Sequence, residues 1–240
     1  MLGSINSEIL FLKQEEVIEA GLLDMGEVMK STEKVYSMLG QGLVQNPPKA
    51  RTLMPYDEDN WNSFLNSMPA YIGGDVNIAG IKWAGESKSN ADIPGIPYGI
   101  DIVILSDPAT VLPFCILDGT LITAMRTSAV AGLFAKYAAP KNAKTATLVG
   151  AGVIGRTMIM ALSEALPGLE TMYICDLDIK KAEDVAGEYD GKFKAKIVPS
   201  ADTKGCMLKS EVVTFETTAR EPYVDGSFIN PGTTLIGMSG

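Results

Sequence analysis

From Glu15 to Leu39 the apolar residues recur at helical spacing. Val17, Ile18, Leu22 and Leu23 are followed by Val28, Met29, Thr32, Val35, Tyr36 and Leu39, as on one face of an amphipathic helix. Gly21 and Gly26 interrupt the pattern, which predicts two helices or one short and one long, and Asn46-Pro47-Pro48 closes the region. The rhythm then shortens. Ala50–Met54, Ser67–Ile72, Val76–Ala84, Ile100–Ser106 and Thr110–Leu117 read as strands, with turns at Gly73-Gly74-Asp75 and Asp107-Pro108-Ala109-Thr110. These strands predict a mixed or antiparallel sheet. Thr120–Ala139 reads as one long helix, capped by Asp118 or Thr120 and stopped at Pro140. Beyond it, strands at Thr145–Val149, Thr171–Cys175, Lys194–Val198, Glu211–Phe215 and Thr233–Gly237 alternate with helices at Val153–Leu166, Ile179–Tyr189 and Asp202–Lys209. Alternation of apolar strands with helices predicts a Rossmann-type doubly wound parallel sheet. The expected organisation is therefore α/β, with an α+β domain over residues 1–119 and a Rossmann domain over residues 120–240.

Composition narrows the chemistry. The 240-residue chain has a net charge of −9, which disfavours nucleic acid and anionic lipid as partners. It has no apolar run long enough to cross a bilayer and no N-terminal signal pattern, so a cytoplasmic protein is expected. Cys115, Cys175 and Cys206 are widely spaced and read as reduced core thiols. Histidine is absent, which excludes a Ser–His–Asp triad, an HExxH zinc site and any imidazole base. The arginines number four: Arg51, Arg126, Arg156 and Arg220.

The strongest motif is Gly150-Ala151-Gly152-Val153-Ile154-Gly155, with the strand Ala146-Thr147-Leu148-Val149 before it and an apolar helix pattern after it. Gly150 permits the turn, Gly152 lets backbone approach a pyrophosphate, and Gly155 lets helix pack on strand; the phosphates then sit at the helix N-terminus. The next strand ends at Asp176, placed to accept hydrogen bonds from adenosine ribose hydroxyls. No arginine follows it, which favours NAD over NADP. Asp178 reads as the cap of the following helix. Arg156 is either a phosphate ligand or a solvated helix residue. Thr217 and Thr218, after the Glu211–Phe215 strand, are either ligand-facing groups or loop hydroxyls at the carboxyl edge of the sheet.

Further segments combine with this motif: Arg51, Met68-Pro69-Ala70-Tyr71-Ile72-Gly73-Gly74, Ile81-Lys82-Trp83, and Leu117-Asp118-Gly119-Thr120-Leu121-Ile122-Thr123-Ala124-Met125-Arg126-Thr127-Ser128-Ala129. Together they resemble the ornithine cyclodeaminase/μ-crystallin family over nearly the whole chain. The resemblance implies a homodimer built on the first domain, which also binds substrate. It implies that Arg51, Lys82 and Arg126 face a small amino acid. The family includes ornithine cyclodeaminases, amino-acid dehydrogenases, ketimine reductases, non-catalytic crystallin-type binders and siderophore-precursor enzymes acting like N-(2-amino-2-carboxyethyl)-glutamate dehydrogenase; the Met-Pro-Ala-Tyr and Ile-Lys-Trp segments are similar to that last branch. It further implies a strand–helix unit and a catalytic aspartate beyond Gly240. Glu221 and Asp225 are acids near that point, but neither matches the motif, and the C-terminal part of the family fold is expected to be missing.

The chemistry agrees with those residues. Taken alone, Arg51 and Arg126 read as surface charges and Lys82 as an exposed strand lysine. Together, an arginine pair grips an α-carboxylate through parallel hydrogen bonds. Hydride leaves the α-carbon only from a neutral amine, so a proton acceptor is needed nearby. A lysine flanked by like charges is expected to release its proton readily, making Lys82 the candidate catalytic residue. The function expected is NAD-dependent hydride transfer at the α-carbon of a small amino acid, as in conversion of ornithine to proline and ammonia, or in amino-acid dehydrogenation.

Overall fold

A computed structural model describes residues 8–55, 62–219 and 221–238; Arg220 lies outside them. The chain divides into two compact units, one running to Leu23 and from Glu33 to Thr123, the other comprising Asp24–Thr32 and Ala124 onward.

The first unit opens with β1 (Leu10–Leu12) and α1 (Gln14–Val17), which runs into a wide turn at Ile18–Leu22. Gly21, at φ +103°, breaks the helical path there. Helix α2 (Met25–Gly40) follows, its residues 25–32 belonging to the second unit, and carries Gly26 within it, so the interruption falls at Gly21 and not at both glycines. Next come β2 (Val44–Gln45), β3 (Ala50–Met54), β4 (Ser63–Ile72), β5 (Ile78–Ser87), β6 (Gly99–Ser106) and β7 (Pro113–Asp118). They form a seven-stranded mixed sheet in the order β1-β7-β6-β5-β4-β2, with β3 also on β4. All pairings are antiparallel except β1 with β7.

Several strand ends differ from expectation for local reasons. β5 starts at Ile78 because the chain is still turning at Asn77, which has φ +46°. β7 starts at Pro113 because Asp107 Oδ1 accepts from the Ala109 and Thr110 amides, at 3.1 and 2.8 Å, and holds the turn open to Leu112. Asp118 Oδ1 accepts from the Thr120 amide at 3.1 Å and caps α3 (Thr120–Ala138).

In the second unit, β8 (Thr145–Val149), α4 (Val153–Ala165), β9 (Thr171–Cys175), α5 (Ile179–Glu188), β10 (Lys196–Ser200), α6 (Thr203–Met207), β11 (Val212–Phe215) and β12 (Thr234–Gly237) alternate. The five strands are parallel in the order β10-β9-β8-β11-β12, the doubly wound arrangement with β8 at its switch point. β10 sits two residues later than expected, through Pro199, which an edge strand tolerates. Leu148, Ile174, Met172, Val212 and Val213 are fully buried, as the continuous apolar strands of a covered parallel sheet require. The three cysteines are buried and free.

Within this unit α3 packs closely on α4. A Cβ on Gly132 would lie 3.1 Å from both the Cβ and the carbonyl oxygen of Ala161, and 3.2 Å from Met29 Cε. Gly132→Leu is expected to destabilise the protein by about 1–3 kcal/mol through overpacking. In urea unfolding the midpoint should fall with an unchanged slope; an unchanged midpoint would contradict this packing.

Candidate functional site

Register sorts the side chains of the first sheet. Arg51, Asn66, Ala84 and Asp101 lie directly opposite one another across β3, β4, β5 and β6. Phe64 and Glu86 form the row on one side of them, and Met68, Lys82 and Val103 the row on the other. These rows are two residues apart, so all project from one face. On that face Lys82 Nζ lies 3.3 Å from Asp101 Oδ2 and 3.0 Å from Thr123 Oγ1, at the start of α3. The Thr123 hydroxyl also donates to Asp101 Oδ2, closing a three-membered cluster. Asp101 is held in place by its own backbone: its amide donates to Thr120 Oγ1 and its carbonyl accepts from Gly119. Its side chain is only 7% exposed and that of Lys82 18%.

Arg51 Nε donates to Asn66 Oδ1 at 3.2 Å, and the guanidinium lies 4.5 Å from the Phe64 ring centroid. Both contacts orient it along the same face. Glu86 projects there too, exposed at its margin, and partial desolvation, then the Asp101 carboxylate, pushes its carboxyl above the usual glutamate range, against Arg51, Lys49 and Lys82. Arg51 and Lys82 thus share one face. The like-charge crowding expected around Lys82 is replaced by an ion pair with Asp101, because β6 brings a carboxylate alongside it. Arg126 lies one turn beyond Thr123 on α3, exposed, in the second unit.

The second cluster of expected residues lies at the carboxyl edge of the parallel sheet. Gly150 takes φ +119°, and a Cβ there would meet the Glu216 carbonyl oxygen at 2.5 Å. A Cβ on Gly155 would collide with the Gly150 carbonyl. Both positions therefore exclude side chains, as expected. Gly152 is the N-cap of α4 and makes no side-chain cap, so the amides at Val153 and Ile154 open the helix without a side-chain acceptor at its N-terminus. Asp176 Oδ2 accepts from the Ala151 amide at 2.9 Å and its Oδ1 from the Asp178 amide at 3.0 Å. The acid is thereby locked beside the glycine turn. Asp178 caps α5 through the Lys180 amide. Arg156 is committed to the protein: Nη1 donates to the Ala151 carbonyl and Nε pairs with Glu188, both at 2.9 Å. The Thr217 hydroxyl lies 3.3 Å from the Tyr223 hydroxyl, and Thr218 is exposed. Asp225 caps a short turn at Gly226–Phe228.

Glu216, between Phe215 and Thr217, was not singled out by the sequence. Its amide donates to the Val149 carbonyl at 2.9 Å. Among the described residues both of its carboxyl oxygens are buried with no hydrogen-bond partner, as is the Thr214 hydroxyl two residues before it. Burial pushes the carboxyl up to about 8, only partly opposed by the nearby Thr214 hydroxyl and its own amide, whose approach falls short of hydrogen-bond geometry. Asp101, Asn66, Glu86 and Thr123 were also missed. A charge inside the apolar run Ile100-Asp101-Ile102-Val103 was the available signal for Asp101, and a charge closing the apolar strand Val212–Phe215 the signal for Glu216. Asn66 and Thr123 carried none.

The glycine cradle, the uncapped α4 N-terminus, the fixed Asp176 and the orphaned Glu216 carboxyl fit a dinucleotide. Among the described residues no group of His, Cys, Asp or Glu could hold a metal ion, and no helix is long and apolar enough to cross a membrane.

Residues 7–240 match the ornithine cyclodeaminase/mu-crystallin family. An alanine dehydrogenase of Archaeoglobus fulgidus is 30% identical over 97% of the chain and 68% of its own length. An N-((2S)-2-amino-2-carboxyethyl)-L-glutamate dehydrogenase of Staphylococcus aureus is 26% identical over 98% of the chain and 70% of its own. Among solved structures, the Δ1-pyrroline-2-carboxylate reductase of Thermococcus litoralis, in complex with NADH and L-proline, superposes with a TM-score of 0.87 at 31% identity, covering 95% of this chain and 68% of that one.

Glu216 makes stability depend on pH. Its folded value lies above its unfolded one, so the folded state keeps a proton that the unfolded state releases between the ordinary glutamate range and about 8. Stability should fall as pH rises through that window, by several kcal/mol. Glu216→Gln should abolish that part of the slope, gaining on the wild type most at about pH 9. Parallel denaturation profiles for the two proteins from about pH 5 to about pH 9 would contradict this.

Proposed function

The chain belongs to the ornithine cyclodeaminase/mu-crystallin family, and from that premise we propose that it is an NAD-dependent enzyme acting at the α-carbon of a small amino acid or its imine. One observation carries the reading: Arg51 and the Lys82–Asp101–Thr123 cluster project from one sheet face, in a chain that also carries a dinucleotide cradle.

Bound NAD supplies hydride acceptance or donation at the α-carbon. The chain's own residues do the rest. Arg51, steadied by Asn66 and Phe64, presents its terminal nitrogens to the substrate carboxylate. Arg126 is the second member of that clamp. Lys82 passes protons to and from the substrate amine, with Asp101 and Thr123 as its internal partners. Gly150, Gly152, Val153, Ile154 and Gly155 hold the pyrophosphate, Asp176 the adenosine ribose, and Thr217 and Thr218 the opposite half. Asp101 and Glu86 also offer acceptors to a second amino group, which favours a diamino acid such as ornithine over alanine. With NAD bound, the imine formed from ornithine would be closed by its own terminal amine with loss of ammonia, and reduction of the resulting cyclic imine would give proline.

The outer face of the first sheet supports a homodimer. Trp83, Ile102, Ile100, Phe114 and Phe11 project from it and are 42–67% exposed. A contiguous apolar sheet face of this kind marks an interface between subunits. Ile102→Lys should turn a dimer into a monomer in sedimentation equilibrium; a wild-type protein that is already monomeric would refute the assignment.

For the chemistry, the protein is incubated with NAD+ and single amino acids, and all products are analysed. Ornithine should give proline and ammonia without net NADH. NADH accumulating with another amino acid would instead identify a dehydrogenase. NAD+ binding without turnover of any amino acid would leave a binding protein of the crystallin kind. Lys82→Met should lower turnover at least ~100-fold with NAD+ affinity unchanged. A fully active variant would remove Lys82 from the mechanism.

A further inference from the structure

The buried carboxyl of Glu216 has no part in the chemistry above. Alternation along β11 places Val212, Thr214 and Glu216 on one face, while Val213 and Phe215 turn to the other, against Met207, Phe228 and Ile229. Glu216 is the first residue past the carboxyl end of β11, hydrogen-bonded to the strand that leads into the glycine turn and in van der Waals reach of Gly150. A buried carboxyl without a partner costs free energy that a folded chain rarely leaves unrecovered. Here it stands where this fold binds its ligand, at the carboxyl edge beside the switch point.

Its position says which half of the ligand it meets. Asp176 closes β9, on one side of β8, and marks the adenosine half. Glu216 closes β11, on the other side, and so falls to the nicotinamide half. That half offers ribose hydroxyls and a carboxamide. A charged carboxylate suits a ribose diol, as at Asp176. A neutral carboxyl, which burial favours at Glu216, carries one donor and one acceptor in a plane. A primary carboxamide presents the complementary pair. Building on the NAD reading, we propose that the Glu216 carboxyl is the hydrogen-bonding partner of the nicotinamide carboxamide.

Calorimetric titration tests this without turnover, using NAD+, ADP-ribose (which lacks the nicotinamide) and 3-acetylpyridine adenine dinucleotide, in which methyl replaces the amide nitrogen. Wild-type protein should bind NAD+ about tenfold more tightly than the acetylpyridine analogue. Glu216→Leu should lose about tenfold in NAD+ affinity while binding ADP-ribose as the wild type does. Glu216→Gln, whose amide offers the same planar pair, should stay within about threefold of wild type for NAD+. Equal wild-type affinity for NAD+ and the acetylpyridine analogue would overturn the proposal, whether or not the leucine variant folds. So would a leucine variant that keeps wild-type affinity for both NAD+ and ADP-ribose. Wild-type protein that fails to bind ADP-ribose would overturn the dinucleotide reading itself, a result distinct from failure at Glu216.

Discussion

Three backbone segments converge at the carboxyl edge of the parallel sheet, too closely for side chains at their contact points. The Gly150 turn presses on the Glu216 carbonyl, and the first turn of α4 presses on the Gly150 carbonyl at Gly155. This contact fixes where α4 begins, leaves its first amides without a side-chain cap, and draws the Asp176 carboxylate onto the Ala151 amide. It also brings Glu216 beside the turn, where its carboxyl is buried without a hydrogen-bond partner among the described residues. The open first amides of α4, the position of Asp176 and the burial of the Glu216 carboxyl thus meet at one packing constraint.

The first unit works by a different rule. Strand alternation gives its sheet two unlike faces. One carries Trp83, Ile100, Ile102 and Phe114, suited to another apolar surface. The other carries Arg51, Glu86, Lys82 and Asp101, charges that are costly to bury unless paired. The Lys82–Asp101 pair with Thr123 offsets that cost and leaves a donor–acceptor set at fixed positions. A one-residue slip of β5 would exchange Lys82 for Trp83 and destroy both faces together, so the register that builds the apolar surface also builds the site.

Most of the fold was legible because its signals are local. β8 and β9 fall where apolar runs predict them, and Gly150, Gly152 and Gly155 announce the turn by residue type alone. Errors gathered where a turn residue sits beside an apolar run, as at Val76 and Thr110, or where an edge strand accepts a proline, as at Pro199. The site was legible only in part. Arg51 and Lys82 read alone as surface charges and are picked out only by the motif segments that carry the family resemblance. Their partners Asn66, Asp101 and Thr123 come from three separate elements, and nothing in the linear order states that register will align them. Glu216 is a related case: its residue type is plain, but its missing partner exists only in three dimensions.

The proposed function requires hydride to pass directly between the α-carbon of an amino acid and the nicotinamide. Incubation with α-deuterated ornithine in ordinary water, followed by mass spectrometry of products and cofactor, tests it most directly. The account predicts that deuterium stays within the pair of reactants, on the α-carbon of the proline formed or on the reduced nicotinamide. Loss of the deuterium to water, with unlabelled product and unlabelled cofactor, would show that a proton and not a hydride leaves the α-carbon, and would contradict it.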